Sequence, residues 1–411
     1  MAEADLCTSD RAARRRQSAR ADIRRMVALI AGDRTDCAAA PLVLDKSIYT
    51  GRLRHAAEMD GIFRKQPLIA GLSGDIPEPG DALVFDAAGP SVLVMRGKDG
   101  TARAFLNMCT HRAARLVEEQ EPWRGRLPRV ACPFHAWTFD GQGRLVGQPG
   151  KEGFAGCPEG ARDLVGLPCE EHLGLIFVRL DPPAGPVDAT AHLGAFAPVL
   201  EQMEPWRAEP VKKGVLRADA NWKFALDTYG ESYHFKSLHK STIGQTHYSN
   251  RGIYQPVGQH HRVNFPDLSM GELVSTPEAE WPEAEYGGVH YIFPNTVLFF
   301  GAVTPGVHFT QLFRLFPDGP DRMICHFAVY APFGVIDDAH RAVCEEAYDA
   351  TAGVVQTEDY RVASAGYANM LSAPDGFQVV LGANEPALHG VHRHIAEACG
   401  MPLDRTEPAG R

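Results

Sequence analysis

No stretch of the 411-residue sequence approaches the ~18 consecutive apolar residues of a membrane span. The one apolar run near the start, Met26–Ala31, is too short for a signal-peptide core. There is no internal repeat and no low-complexity tract. Positive charge is not in excess. Lys and Arg number 41 against 51 Asp and Glu, a net −10, which argues against nonspecific nucleic-acid binding. The nine cysteines are odd in number and irregularly spaced, so they form no disulfide framework. That pattern, with no export signal read, predicts a cytoplasmic protein with mostly free thiols. Any cysteine with a special task is then a metal ligand or a nucleophile.

What is present is ordinary globular material, 45% hydrophobic and 22% charged. The length predicts two or three domains. Residues 1–47 read as a helical extension ending in a loop around Thr35–Pro41. Its segment Arg11–Arg25 holds seven arginines, with Ile23, Met26, Val27 and Ile30 at helical spacing. Asp10 flanks the basic run and Asp22 interrupts it, so a solvated helix face packed on the body is the expected arrangement. A second helical stretch is expected over 48–63. From Gly71 to Asp181, Gly, Pro and Asp turns alternate with short β-rich runs, the pattern of a small antiparallel β domain. Pro182–Pro186 punctuates the chain like a linker. Beyond it the sequence is α+β. A short helix is expected near Pro198–Met203, an irregular helix over Asn221–His239, and strands over His290–Phe300, Val307–Phe316 and Arg322–Tyr330. A helix capped by Asp337 or Asp338 follows, and another near Glu385–Cys399. The domains expected are therefore the extension 1–47, a β domain with its preceding helix over 48–185, and an antiparallel sheet with helices over 186–411.

Two constellations carry chemistry. The β domain contains Cys109-Thr110-His111 and, twenty residues on, Cys132-Pro133-Phe134-His135. Two thiols and two imidazoles near turns make a four-ligand set for a soft or borderline metal. Structural zinc sites usually bring like ligands in short pairs. Here each loop supplies one Cys and one His. That suits a two-iron, two-sulfur cluster whose cysteines hold one iron and whose histidines hold the other, the mixed Rieske ligation.

The second constellation lies in Asn221–His239. His234 and His239 are five positions apart, ~140° around an ideal helix, so they share a metal only if the helix bends or ends between them. Glu231 lies one turn before His234. A carboxylate would complete a two-His-one-carboxylate triad for mononuclear non-haem iron. Among several acids, Gln356-Thr357-Glu358-Asp359 stands out, because it sits in a helical pattern with Val354, Val355 and Val362. Phe224, Phe235, Phe299 and Phe300 are candidates to line an apolar pocket there.

With both constellations in view, the chain from about Ile48 onward resembles the α subunits of ring-hydroxylating Rieske non-haem iron oxygenases. The resemblance rests on Asp75–Asp81 (DIPEPGD), Ala104–Arg112 (AFLNMCTHR), Cys132–Trp137 (CPFHAW), Asn221-Trp222-Lys223, Glu231–His234 (ESYH), Phe293-Pro294-Asn295 and Glu358-Asp359. It implies a Rieske domain followed by a helix-grip catalytic domain. It also implies that Cys109, His111, Cys132 and His135 bind a [2Fe–2S] cluster, that His234, His239 and Asp359 bind Fe(II), and that Glu231 links the two centres. In such a protein the acid joins His135 of one subunit to His234 of its neighbour in a homotrimer, with or without a small β subunit. An external reductase or ferredoxin supplies electrons, since the sequence has no Gly-x-Gly-x-x-Gly strand–turn–helix and no plant-type ferredoxin cysteine set. The reaction expected is O2-dependent hydroxylation of an aromatic substrate; the alternative is oxidative demethylation or monooxygenation of a methylated amine or another small molecule. The sequence departs from the family at His111-Arg112-Ala113-Ala114, where His-Arg-Gly-Ala is common. It departs again at Leu226-Asp227-Thr228, where Glu-Asn-Phe or Glu-Asn-Tyr is common.

Overall fold

A computed structural model describes residues 2–403 apart from 87–88, 159, 182–184, 284, 305–306 and 333–336. Most of the expected linker Pro182–Pro186 lies outside the described residues. The helix Ala2–Ala31 does pack on the body, with Ala19, Ile23, Met26 and Val27 buried. Its arginines are engaged along the way: Arg11 and Arg15 each reach Glu204 at 3.0 Å, and Arg24 reaches Glu278 at 2.6 Å. Surface pairs of this kind, two of them partly buried, are worth about 0–1 kcal/mol each, against about 1.5–3 kcal/mol for a fully buried Ile, Met or Val. Packing therefore holds the helix more than these pairs do. Asp22 interrupts the basic run because it is buried against Arg262.

The extension is not helical throughout. Leu42–Asp45 is a strand, and it pairs antiparallel with Gln378–Leu381 near the other end of the chain. The helical segment 47–64 also packs on the second half, with Phe63 edge-on to Trp222 at 5.0 Å and Tyr49 edge-on to Phe224 at 5.1 Å.

The β domain holds a five-stranded antiparallel sheet centred on Asp81–Asp86, Ser91–Arg96 and Ala102–Leu106, with two three-stranded sheets beside it. Buried charge ties it to the second half. Asp75 accepts from the Leu72 N–H at 3.0 Å and the Tyr330 hydroxyl at 3.0 Å, and it faces Lys213 at 2.5 Å. Arg314 donates to the carbonyls of Ile69 (3.1 Å) and Ala70 (2.7 Å) and pairs with buried Glu121.

The second half is a seven-stranded antiparallel sheet, in the order Ala208–Ala218, Met323–Pro332, Val307–Pro317, Thr296–Thr304, Gly288–Ile292, His260–Asn264, Ile253–Val257. The stretch expected as one strand, His290–Phe300, is a hairpin. It turns at Phe293–Asn295, where Pro294 has no N–H to give to a ladder. Buried Asn295 secures the turn by donating to the Leu315 carbonyl at 2.8 Å. Helices Asp338–Val354 and Tyr360–Ser372 pack across the sheet, joined by one π-helical turn, Val355–Asp359. Asp337 is the cap of the first, accepting from the His340 N–H.

Three histidines, His260, His261 and His290, are buried in the sheet, and half-buried His192 packs on His260. Burial pushes His192 and His260 down to about 4 and His261 and His290 down to about 3. Their unfolded value is about 6.5. The folded protein therefore loses stability as pH falls below about 6.5, since the unfolded chain then binds protons that the native state refuses. The slope is about 1.4 kcal/mol per pH unit for each group until its folded value is reached. The thermal midpoint is expected to fall steeply between pH 6 and 4.5. A midpoint that stayed level over that interval, followed by calorimetry, would contradict it.

Candidate metal centres and active site

The two Cys–His loops of the β domain are built alike. The Cys109 N–H donates to the Ala114 carbonyl at 2.8 Å, and the Cys109 carbonyl accepts from the Ala113 N–H at 2.9 Å. In the second loop the Cys132 N–H donates to Trp137 at 2.7 Å, and its carbonyl accepts from Ala136 at 2.9 Å. Ala113 and Ala136 occupy matching positions, and both are left-handed (φ 59° and 57°). The alanine found where glycine is common thus keeps the glycine's backbone conformation, at the cost of a strained Cβ.

The loops bring Cys109 and Cys132 together, both buried and both free thiols. Burial pushes the Cys109 thiol up, and the neighbouring Cys132 adds to it. The rings of His111 and His135 lie 4.8 Å apart, and His111 stacks on Trp137 at 4.9 Å. The Nδ1 of His135 is buried with no hydrogen-bond partner. Two sulfurs, two imidazoles and an orphaned ring nitrogen fit a group held among them.

The second site begins at Asn221, whose side chain accepts the Lys223 N–H at 3.1 Å and caps the helix Trp222–Leu226. Lys223 is buried, its ammonium 2.8 Å from both Asn221 and Glu58, and Trp222 donates to the same Glu58 at 3.0 Å. This network explains the Asn-Trp-Lys motif as an anchor. The chain then leaves helical geometry and re-enters it over Phe235–Leu238, with His234 and His239 as the flanking residues. The two histidines thus cap a single helical turn instead of lying within a continuous helix, which removes the 140° problem.

His234 Nε2 and His239 Nε2 are 3.1 Å apart, and Asp359 Oδ1 lies 3.5 and 3.3 Å from them. Ligands ~2.1 Å from one cation at right angles stand about 3 Å apart. The protonated nitrogens point the other way. His234 Nδ1–H donates to Glu231 Oε1, and His239 Nδ1–H donates to Glu358 Oε2 at 2.7 Å. These carboxylates leave the Nε2 lone pairs facing each other and a carboxylate oxygen, an arrangement that calls for a cation between them. Burial alone would lower the His239 pKa, but the hydrogen bonds and charges of Asp359 and Glu358 outweigh it and raise it. One ligand atom from each of His234, His239 and Asp359 lies within 4.8 Å of the others, a spacing that can hold a metal ion.

Glu358 was visible in the sequence only as the neighbour of Asp359. Adjacent residues point ~100° apart on an α-helix. The π-helical turn lets Asp359 reach the triad while Glu358 supports His239 and accepts from Thr242 at 3.1 Å. Asp227 does not reach this site. It is buried against the Tyr49 hydroxyl at 2.6 Å and His392 at 3.1 Å.

A cavity of ≈ 280 Å³ opens beside the triad. Its wall combines six aromatic rings, from Tyr229, Phe235, Phe265, Phe299, Phe309 and Phe313, with aliphatic Ile and Val side chains and a few polar groups, among them Gln311 and Thr351. Of the four phenylalanines expected there, Phe235 and Phe299 line it. Phe224 packs on Tyr49 instead, and Phe300 lies on the opposite face of its strand from Phe299, beside Tyr286 and His308. A strand alternates its faces, so two consecutive residues cannot share one.

A β domain with two Cys–His loops, joined to an antiparallel, helix-covered domain in which two histidines and an aspartate converge, defines the class of this protein. Residues 66–158 match the family described as Rieske [2Fe-2S] domain, and residues 202–401 match the ring hydroxylating alpha subunit (catalytic domain). The chain belongs to the Rieske non-haem iron oxygenases, as an α-type subunit with a Rieske cluster domain and a mononuclear iron domain. It is 33% identical over 212 residues to the glycine betaine monooxygenase oxygenase subunit of Pseudomonas aeruginosa, a match covering 49% of this chain and 45% of that protein. The chain thus spans about half the length of this relative. It is 25% identical over 288 residues to the carnitine monooxygenase oxygenase subunit of Acinetobacter baumannii, covering 69% and 74%. In fold it is similar to the quaternary ammonium Rieske monooxygenase CntA, with a TM-score of 0.72 at 20% identity over 88% of this chain and 95% of that one. Naphthalene 1,2-dioxygenase from Rhodococcus sp. gives 0.66 at 20% identity, over 92% and 96%. No helix among the described residues is long and apolar enough to cross a membrane.

Proposed function

We propose that this chain is the terminal oxygenase of a multicomponent system and that it oxidises a methylated ammonium compound at an N-methyl group, releasing the methyl carbon as formaldehyde. The observation that carries the reading is the convergence of His234, His239 and Asp359 on a cavity walled by aromatic rings. Aromatic faces attract alkylammonium cations, by about 2 kcal/mol or more where water is excluded. The names of the relatives support the same reading over the aromatic substrate expected first, since glycine betaine and carnitine are both quaternary ammonium compounds.

In this reading Cys109, Cys132, His111 and His135 hold the cluster, and His234, His239 and Asp359 hold the iron. When bound, the cluster supplies electrons one at a time and the ferrous centre activates O2. The protein's own part is positional. Glu231 and Glu358 orient the two imidazoles, and the aromatic wall excludes water and holds the N-methyl group near the triad. Tyr233, 61% exposed beside Glu231, and Phe134, 56% exposed beside His135, are suited to meet across an interface. There Glu231 joins His234 to His135 of the partner subunit, in a homotrimer. A separate reductase or ferredoxin delivers the electrons, and the domains divide as 48–185 and 186–411.

The test is turnover of matched methylated ammonium compounds and aromatic acids and hydrocarbons, with a surrogate reductase under ¹⁸O2. Formaldehyde and a demethylated amine are the expected products, the formaldehyde carrying label when it is trapped before its hydrate exchanges oxygen with water. Labelled cis-dihydrodiols from the aromatic set, with no formaldehyde from the amines, would overturn the reading.

A further inference from the structure

Strand Val307–Pro317 presents Phe309, Gln311 and Phe313 to the cavity. An amide in that row is out of place. Gln311 is 7% exposed, and its one described side-chain hydrogen bond runs from Nε2 to Thr351 Oγ1 at 2.8 Å. That bond uses one amide N–H and fixes the plane of the group. It leaves the carbonyl oxygen and the second N–H without a protein partner, in the wall of an apolar cavity. An apolar side chain would continue the phenylalanine row; an amide there instead turns its free polar atoms to the cavity, where a group that enters can meet them. The residue therefore pairs with something that enters. Its neighbours say what kind of group that is. The acidic side chains Glu231 and Asp359 line the cavity, no Lys or Arg does among the described lining residues, and burial holds His247 below its ordinary pKa.

We propose that Gln311, steered by Thr351, binds an uncharged hydrogen-bonding group of the substrate, a hydroxyl or carbonyl, at the end away from the methylated nitrogen. This rests on the ammonium reading above and narrows it. A terminal carboxylate would find at Gln311 only one neutral N–H beside a carbonyl oxygen, with Glu231 and Asp359 lining the same cavity and no Lys or Arg among its described lining residues to neutralise it, so the chain selects against carboxylate-bearing ammonium compounds.

The experiment is calorimetric binding under anaerobic conditions to the full chain loaded with iron and cluster. Three probes of matched shape are choline, glycine betaine and 3,3-dimethylbutan-1-ol. Choline is expected to bind at least tenfold more tightly than glycine betaine. Gln311→Met is expected to weaken choline about tenfold, with iron content and thermal midpoint unchanged. Thr351→Val, which frees the amide to rotate, is expected to weaken it a few-fold and serves if the first variant folds poorly. Glycine betaine binding as tightly as choline, or choline indifferent to both substitutions, overturns the proposal. If the neutral alcohol matches choline and both still depend on Gln311, the role of Gln311 stands and the ammonium reading falls.

Discussion

Glu231→Gln is expected to cut steady-state turnover by roughly 10–100-fold or more, the usual cost of losing a group that orients a metal-bound imidazole, while both metal centres stay filled. The carboxylate has two tasks at once. One oxygen accepts His234 Nδ1–H, and the other accepts the backbone N–H groups of Tyr233 and His234, the latter at 3.3 Å. An amide has one oxygen for both tasks. Its NH2 group must turn toward a donor, which either releases the imidazole or unties the loop. The link proposed between His234 and His135 of the partner subunit would break at the same point. Rapid mixing locates the effect: in the variant, a cluster reduced beforehand should remain reduced long after O2 and substrate are added. If it reoxidises at the wild-type rate, Glu231 is not on the path between the centres.

Asp359→Ala should have the opposite signature. Removing the carboxylate leaves two imidazoles whose Nε2 atoms face each other at 3.1 Å with no anionic ligand. Iron content is expected to fall from one mononuclear iron per chain to about a tenth of that or less, and turnover to become undetectable. The visible spectrum and acid-labile sulfide of the cluster should be unchanged, since its four proposed ligands lie in another domain. Glu358→Gln is the graded control. It keeps all three proposed ligands and disturbs the support of His239, so iron affinity should drop by only about 10–100-fold. An Asp359→Ala protein that retained its iron through dialysis would remove Asp359 from the ligand set.

Both variants change a side chain whose type was conspicuous in the sequence, yet their arrangement was not. Cys109-x-His111 and Cys132-x-x-His135 announce a four-ligand set, because a loop with one thiol and one imidazole a few residues apart has few other uses. The resemblance then supplied Asp359, which spacing alone left among several acids. The irregular segment Asn221–His239 and the antiparallel character of the second half were also legible, since turn residues and alternation are local signals.

The turn-rich β domain, the antiparallel strands and the residue types of both proposed centres follow from the sequence by itself, because each depends on neighbours within a few positions. Tertiary structure decided the rest. It split His290–Phe300 into a hairpin, paired Leu42–Asp45 with Gln378–Leu381, and sent Phe299 to the cavity and Phe300 away from it. It also spent a π-helical turn to let Asp359 reach two histidines more than a hundred residues earlier while Glu358 supports one of them. Such contacts cost loop closure in advance and are selected by burial and charge across the whole fold, so no short window of residues contains them.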